Sequence, residues 1–247
     1  MPADILSTNL AIAAALLFGA GIVRGFTGFG AALLLAPVLA YLFGATSGVG
    51  IIILLNLIVS VQLIAPALRV SNFAGVGWLT AGACVAMPIG VWALGTFDPE
   101  AARDAISILV ILACILIALP YQDHLHIRSS PAMDAFAGGL GGLMHGFAGI
   151  GGPPIIIYWI AQKQSAAALR ANIILSFAII NIVTTLAFLV GGLLNTKMFL
   201  QTLLLTPPFL LGAWVGAHIF GRSSDRFFMR VVLVLLIVVA AGMLIAE

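Results

Sequence analysis

Apolar segments, most of them about twenty residues long, follow one another along almost the whole chain, and this pattern excludes most folds. A helix of that length spans the hydrocarbon core of a bilayer. Charged residues make up only 7% of the 247 positions, whereas a soluble domain carries about 25%. The sequence therefore predicts an all-α polytopic membrane protein in contact with the lipid bilayer. A net charge of +2 provides no basic patch, so a nucleic-acid partner is not expected.

Breaks at glycine, proline and charged residues divide the chain into ten predicted segments. These are residues 5–23, 31–43, 47–68, 73–94, 101–119, 132–144, 153–160, 167–192, 199–220 and 226–246. Segments 31–43, 132–144 and 153–160 are too short to span a bilayer alone, and 5–23 is at the limit. Short apolar segments beside glycine-rich stretches are typical of broken or re-entrant helices. A hydropathy count therefore returns between about seven and ten spans.

The two halves of the chain resemble each other. Residues 21–30 and 142–151 share the pattern GxxxGFxGxG. Three further matches follow in the same order: 56–60 with 181–185, 90–92 with 212–214, and an Asp-x4-Arg pair at 98–103 and 225–230. Four matching elements in one order indicate an internal duplication. The predicted units are a first transmembrane repeat at 1–120, a polar connecting loop at 121–131 and a second transmembrane repeat at 132–247.

The placement of charge predicts the orientation in the membrane. With five segments per half, one side carries Arg69, Arg128, Lys163, Arg222 and Arg226, and the other carries Asp4, Asp98, Glu100, Lys197 and Glu247. The arginine-rich side is expected in the cytoplasm, with both termini on the opposite side of the cell (inner) membrane. No basic residue precedes Arg24, so the first segment lacks the start of a signal peptide and is expected to stay in the membrane. An odd number of segments per half makes the two repeats inverted.

Each glycine-rich stretch precedes the start of a predicted short helix, where free backbone N–H groups and the helix dipole favour an anion. The stretches predict a small anionic substrate held between two such helix starts. The candidate binding residues within them are Gly25, Phe26, Thr27, Gly28, Gly30, Gly146, Phe147, Gly149, Gly151 and Gly152. The alternative is close helix packing, because the spacing of Gly21 and Gly25, repeated at Gly142 and Gly146, is typical of helix contacts in membranes.

Polar side chains inside the apolar segments complete the candidate site. Arg24 and His145 occupy equivalent positions in the two motifs, and a charge in a membrane segment suggests function. Arg24 could instead extend to the cytoplasmic surface, and His145 could bind an anion, relay a proton or satisfy a backbone carbonyl. Arg170 either marks the cytoplasmic side or reaches the cavity. Asn56 and Asn181 could line the cavity or join helices.

Other chemistry has weaker support in the sequence. Ser47 near an intramembrane histidine could form a nucleophile and base, but a serine beside glycine at a helix start is usually a cap. His124 and His126 lie in the polar loop and are more often solvated than metal-bound. No cofactor or metal is expected. No Asp or Glu lies in mid-segment, so any proton coupling falls to His145, His218 or the substrate.

The two glycine motifs, followed by Pro37 in the first half and by Pro153 and Pro154 in the second, resemble those of the TauE/SafE sulfite exporter family, and the likeness extends from about residue 12 to 244. The resemblance implies secondary transport of small sulfur-containing or organic anions, such as sulfite or sulfonates. The matching positions are Gly25, Gly28 and Gly30 in the first motif and Gly146, Gly149, Gly151 and Gly152 in the second. Residues 31–32 are Ala-Ala where 152–153 are Gly-Pro, so the two halves differ there.

The leading hypothesis is therefore an anion transporter that works by alternating access, with export as the expected direction. A passive anion channel or uniporter of the same fold is the alternative, and an intramembrane hydrolase is disfavoured. The sequence leaves open the anion, the direction, the coupling ion and a homodimer.

Overall fold

A computed structural model describes residues 8–71, 73–118, 128–224, 227 and 231. This part of the chain forms nine helices, and no strand occurs in it. The helices are α1 (Thr8–Thr27), α2 (Ala31–Phe43), α3 (Ala45–Ala67), α4 (Phe73–Thr96), α5 (Pro99–Ala118), α6 (Pro131–Ala148), α7 (Gly152–Ile160), α8 (Ala166–Val190) and α9 (Thr196–Phe220). Helices α3, α4, α8 and α9 are long and apolar enough to cross a membrane, which makes the chain a multi-pass membrane protein.

Several predictions concern residues outside the described ranges. The predicted tenth segment, 226–246, lies outside them except for residues 227 and 231. His124 and His126 of the polar loop also lie outside them. Within the described ranges, α2 begins and ends at the predicted residues, whereas α1 and α6 continue four residues beyond the predicted ends at 23 and 144. The longer helices carry Arg24 and His145 in their last turns.

Both of these helices end at a glycine in the left-handed backbone region. Gly28 has φ of 83° and Gly149 has φ of 72°. The N–H of Gly28 donates to the carbonyl of Arg24, and the N–H of Gly149 donates to that of His145, each at 2.9 Å. A left-handed glycine that closes the last helical turn is a common helix stop, since a residue with a Cβ is strained there.

The glycines of α1 and α6 pack these helices tightly against two others. A Cβ on Gly25 would lie 1.9 Å from the carbonyl oxygen of Ala213 in α9, and one on Gly146 would lie 2.2 Å from that of Met87 in α4. Successive residues along α1 meet successive residues along α9, so the two helices run parallel, and α6 runs parallel to α4 in the same way. The predicted close packing is therefore present at both crossings.

Helices α3 and α8 cross in the middle of the bundle and contain its most buried segments. Gly50 near the start of α3 lies against Phe188 near the end of α8. Ala67 at the end of α3 shares a cavity wall with Ala167 near the start of α8, so the two helices are antiparallel. Gly50 also contacts Met198 near the start of α9. Since α4 returns from the far end of α3, the end of α4 and the end of α9 lie at opposite ends of the bundle.

A buried carboxylate fastens the start of α6 to the end of α7. Asp134 is 2% exposed and accepts a hydrogen bond of 2.6 Å from the Tyr158 hydroxyl. The Ser129 hydroxyl lies 3.1 Å from its other oxygen, and Ser130 caps the helix through the N–H of Met133. These bonds satisfy a carboxylate that would otherwise be costly to bury.

Candidate anion-binding cavity

A small cavity lies where the ends of α1 and α6 meet the starts of α2 and α7, beside the middle of α3 and α8. Its volume is about 20 Å³, which is room for about one water molecule. It is lined by Arg24, Phe29, Gly30, Ala31, Ala32, Leu33, Asn56, His145, Gly149, Ile150, Gly152 and Phe177. Six of the predicted site residues thus share one cavity: Arg24, Gly30, Asn56, His145, Gly149 and Gly152.

The start of α2 forms one wall of this cavity. Gly30 precedes the helix with φ of 90°, and the three residues of the first turn, Ala31, Ala32 and Leu33, all line the cavity. N–H groups in a first helical turn have no partner within the helix, and the helix dipole adds partial positive charge there. This end of α2 is therefore suited to an anion.

The start of α7 is not equivalent. Gly151 precedes it with φ of −84°, and Gly152 is followed by Pro153 and Pro154, which have no N–H to donate. Only Gly152 of this helix lines the cavity. Both predicted helix starts line the same cavity, but α2 contributes three residues of its first turn and α7 contributes one.

Arg24 brings a buried cation to the cavity. Its side chain is 3% exposed, so it does not extend to the surface. One terminal nitrogen, Nη1, donates to the carbonyl of Gly28, and the guanidinium carbon lies 5.6 Å from the centre of the Phe177 ring. Within the described part of the chain, Nε and Nη2 of Arg24 have no hydrogen-bond partner. Two donor nitrogens of a buried guanidinium, with three N–H groups between them, are therefore available to a ligand.

His145 and Asn56 supply the remaining polar walls. His145 is 1% exposed, and its Nε2 lies 3.1 Å from Oδ1 of Asn181. The described residues provide no hydrogen-bond partner for Nδ1 of His145 or for Oδ1 of Asn56. Asn181 does not line the cavity. Its Nδ2 donates to the backbone carbonyl of Phe177 at 2.6 Å, while its Oδ1 faces His145.

Arg170 lies beside the cavity rather than in its wall. Its Nε donates to the carbonyl of Phe26 at 2.9 Å, and its Nη2 donates to that of Gly25 at 2.6 Å. The guanidinium also stacks 4.3 Å from the ring centre of Phe220. Arg170 therefore holds the end of α1 against α8 and α9.

The other predicted residues support the cavity from outside its wall. Gly25 and Gly146 are the close-packing positions against α9 and α4. Thr27 accepts a hydrogen bond of 3.1 Å from the N–H of Phe29 and so shapes the turn into α2. Gly28 faces Arg170 across that turn, and Gly151 packs on the His145 side chain.

Two aromatic pairs contain the remaining motif residues. Phe26 faces Phe220 at the end of α9, with ring centres 6.0 Å apart and planes at 78°. Phe147 faces Phe97, just beyond the end of α4, at 5.4 Å and 76°. Because the ends of α4 and α9 lie at opposite ends of the bundle, the two pairs lie on opposite sides of the cavity.

The sequence reasoning named the start of the helix at 31–43 as an anion site, but it did not single out three other wall residues: Phe29, Ile150 and Phe177. Phe29 and Ile150 occupy the variable position between the last two glycines of each motif. That shared position in the motif is the sequence signal that could have identified them. Phe177 lies four residues before Asn181 in an apolar helix, where nothing distinguishes it from core residues. No group of three metal-binding side chains occurs among the residues that the structure describes.

The helices and the buried cationic cavity define a multi-pass membrane protein with an internal polar site. The family model of the sulfite exporter TauE/SafE matches residues 12–243, and the chain belongs to this family of membrane transporters. It is similar to a protein of Cupriavidus necator named "Probable sulfite/organosulfonate exporter TauE", with 27% identity over 257 residues that cover 99% of this chain and 97% of the relative. No solved structure matches the chain significantly.

Proposed function

We propose that this protein is a secondary transporter that exports small sulfur oxyanions or sulfonates, which it binds in the cavity between Arg24, His145 and the start of α2. The observation that carries the proposal is the buried guanidinium of Arg24, with two donor nitrogens, Nε and Nη2, unused by the described residues. A buried cation without a counter-charge costs several kcal/mol. A bound anion would remove most of that cost.

The chemistry of the wall favours a small oxyanion. Arg24 and the first turn of α2 supply donors from two directions, which suits a group with several oxygens. The apolar part of the wall, with Phe29, Ile150 and Phe177, leaves little space for water. The cavity volume of about 20 Å³ is smaller than a sulfonate, so the helices around it must separate to admit cargo.

Helix packing supports an arrangement of two inverted repeats. The sequence match relates α1 to α6, α3 to α8 and α4 to α9. The contact of α1 with α9 thereby corresponds to that of α6 with α4. Gly28 and Gly149 are matching positions of the two motifs, and so are Phe26 and Phe147. The aromatic partners Phe220 and Phe97 lie at the ends of the related helices α9 and α4. Inverted repeats commonly place the transport site at their interface, near the membrane midplane.

We infer that the aromatic pairs are the two gates of an alternating-access cycle. Phe26 and Phe220 close the cavity toward the ends of α3 and α9, and Phe147 and Phe97 close it toward their starts. Arg170 strengthens only the first gate, since its equivalent position in α3 is Ala45. The positive-inside rule places this first gate on the cytoplasmic side, because Arg69 and Arg222 follow the ends of α3 and α9.

Anion binding to purified protein tests the site. Sodium sulfite and sodium methanesulfonate are added to detergent-solubilised protein, and the thermal unfolding midpoint is followed. We expect at least one of them to stabilise the wild type, and Arg24→Gln to weaken binding at least about tenfold, since a charged hydrogen bond is lost. Arg222→Gln is the control, because Arg222 is exposed. Unchanged binding in Arg24→Gln would contradict the site.

Thiol accessibility tests the gates. Ala32, in the cavity wall, is replaced by cysteine in a chain with Cys84→Ser and Cys114→Ser. An impermeant maleimide is then applied to vesicles of each orientation. Arg170→Gln should raise labelling from the side that carries Lys163, and Phe97→Ala should raise it from the other side. If the Ala32→Cys protein without a gate substitution is labelled from both sides, the protein is a channel instead.

A further inference from the structure

The hydrogen bonds around Asn181 determine which nitrogen of His145 carries a hydrogen. The amide group of Asn181 meets the backbone carbonyl of Phe177 at 2.6 Å. A carbonyl only accepts, so the amide nitrogen must face it, and the amide oxygen must face His145. That oxygen lies 3.1 Å from Nε2 of His145. Nε2 is therefore the donor, and a neutral His145 has its lone pair on Nδ1.

Nδ1 is the ring nitrogen left for a ligand. His145 lines the cavity, whereas Asn181, the partner of Nε2, does not. No described group meets both the distance and the angle of a hydrogen bond with Nδ1, but the Gly149 backbone interacts with the imidazole and competes with a ligand for it. The imidazole is 1% exposed, so bulk water does not substitute for a partner. An anion in the cavity consequently meets the lone pair of Nδ1.

Two lone pairs repel each other unless a proton lies between them. An oxygen of a fully ionised oxyanion accepts hydrogen bonds, and so does Nδ1 of a neutral His145. The contact becomes favourable when one proton is shared, either as hydrogen sulfite donating to Nδ1 or as an imidazolium donating to sulfite. The two forms contain the same atoms and the same total charge.

We propose that His145 makes one proton part of the cargo, so that the bound unit is a sulfur oxyanion together with one proton. This rests on the proposed function, because it assumes that the anion binds in this cavity. It selects oxyanions that are weak acids near neutral pH, such as sulfite, over strong-acid sulfonates. Arg24 then balances the single net negative charge, and Nδ1 holds the proton.

The charged groups near the ring allow this assignment. Arg24 of α1 is the cation that interacts with His145, and α4 contains no charged residue. On α6 itself and on α7, Asp134 and Tyr158 are bonded to each other at the far end of these helices. Helix α5 carries Glu100, Arg103 and Asp104 near its start. Arg170, the one charged residue of α8, is bonded to the end of α1. The described residues thus place no carboxylate in the cavity wall to compete for the proton.

Calorimetry of sulfite binding tests the proposal through proton uptake. Sodium sulfite is titrated into detergent-solubilised protein at about pH 8.5, in two buffers with different ionisation enthalpies. Free sulfite is then mostly the dianion, so the wild type should take up about one proton per sulfite bound. His145→Gln retains a donor toward Asn181, but its amide oxygen is far less basic than Nδ1 and does not bind a proton, so its uptake should fall at least about threefold. His218→Gln, at an exposed ring bonded to the Trp214 carbonyl, should behave as the wild type does.

A second variant keeps the test decisive if His145→Gln does not fold. In Asn181→Asp a carboxylate faces Nε2 and favours an imidazolium before sulfite arrives, so proton uptake on binding should fall. Uptake of about one proton in both folded variants, or none in the wild type, would overturn the role of His145 while leaving the anion site intact. Failure of any anion to bind the wild type would instead overturn the proposed function.

Discussion

Replacing Gly25 by alanine separates helix packing from anion binding. The new Cβ would lie 1.9 Å from the Ala213 carbonyl oxygen, whereas ordinary contacts begin at 3.4 Å. The obstructing atom belongs to a backbone, so α1 and α9 would have to move apart by about 1.5 Å. Gly19, in the same helix, has nothing within 4 Å of a built Cβ and is the matched control.

The expected difference in stability between the two variants is large. Overpacking costs about 1–3 kcal/mol, whereas alanine at an unobstructed helical position gains up to about 1 kcal/mol over glycine. Gly25→Ala should therefore be about 2–4 kcal/mol less stable than Gly19→Ala, a midpoint lower by roughly 5–10 °C. Tryptophan fluorescence during heating in detergent, without any anion, measures this. Equal midpoints for the two variants would refute the packing role of Gly25.

Two further substitutions test local structure by the same thermal measurement. Gly149→Ala should lower stability by about 1–2 kcal/mol, because φ is 72° at this position. The atom nearest to the new Cβ, in Ile52, would be 3.4 Å away, so backbone strain and not crowding sets the cost. An unchanged midpoint would be evidence against this helix stop. Tyr158→Phe removes the 2.6 Å hydrogen bond to buried Asp134 and should cost about 1–3 kcal/mol. Tyr41→Phe, at a residue 73% exposed, should cost almost nothing, and equal effects of the two would contradict the structural role of the buried bond.

The sequence predicted the helices well where a single signal governs their ends. A short apolar run between two glycines defines α2, and the prediction of residues 31–43 agrees with the structure. The ends of α1 and α6 were predicted four residues early. Glycine normally weakens a helix, but here the glycines lie against α9 and α4, and tertiary contact outweighs local preference.

The composition of the cavity was predictable where a single local signal marks the residue. Arg24, Asn56 and His145 are rare polar residues in apolar segments, where polarity is costly and therefore informative. Phe177 is as apolar as its surroundings, so only the fold shows that it lines the cavity. The orientation of Arg170 was equally hidden, because its partners are the backbone carbonyls of Gly25 and Phe26.

The position of a bound anion tests the central claim most directly. Selenite has the shape and charge of sulfite, and its selenium scatters anomalously, so crystals of the protein soaked in sodium selenite would locate it. We predict an anomalous peak in the cavity, within hydrogen-bond distance of Arg24 Nε or Nη2 and beside the first turn of α2. A peak elsewhere in the protein, with none in this cavity, would contradict the account.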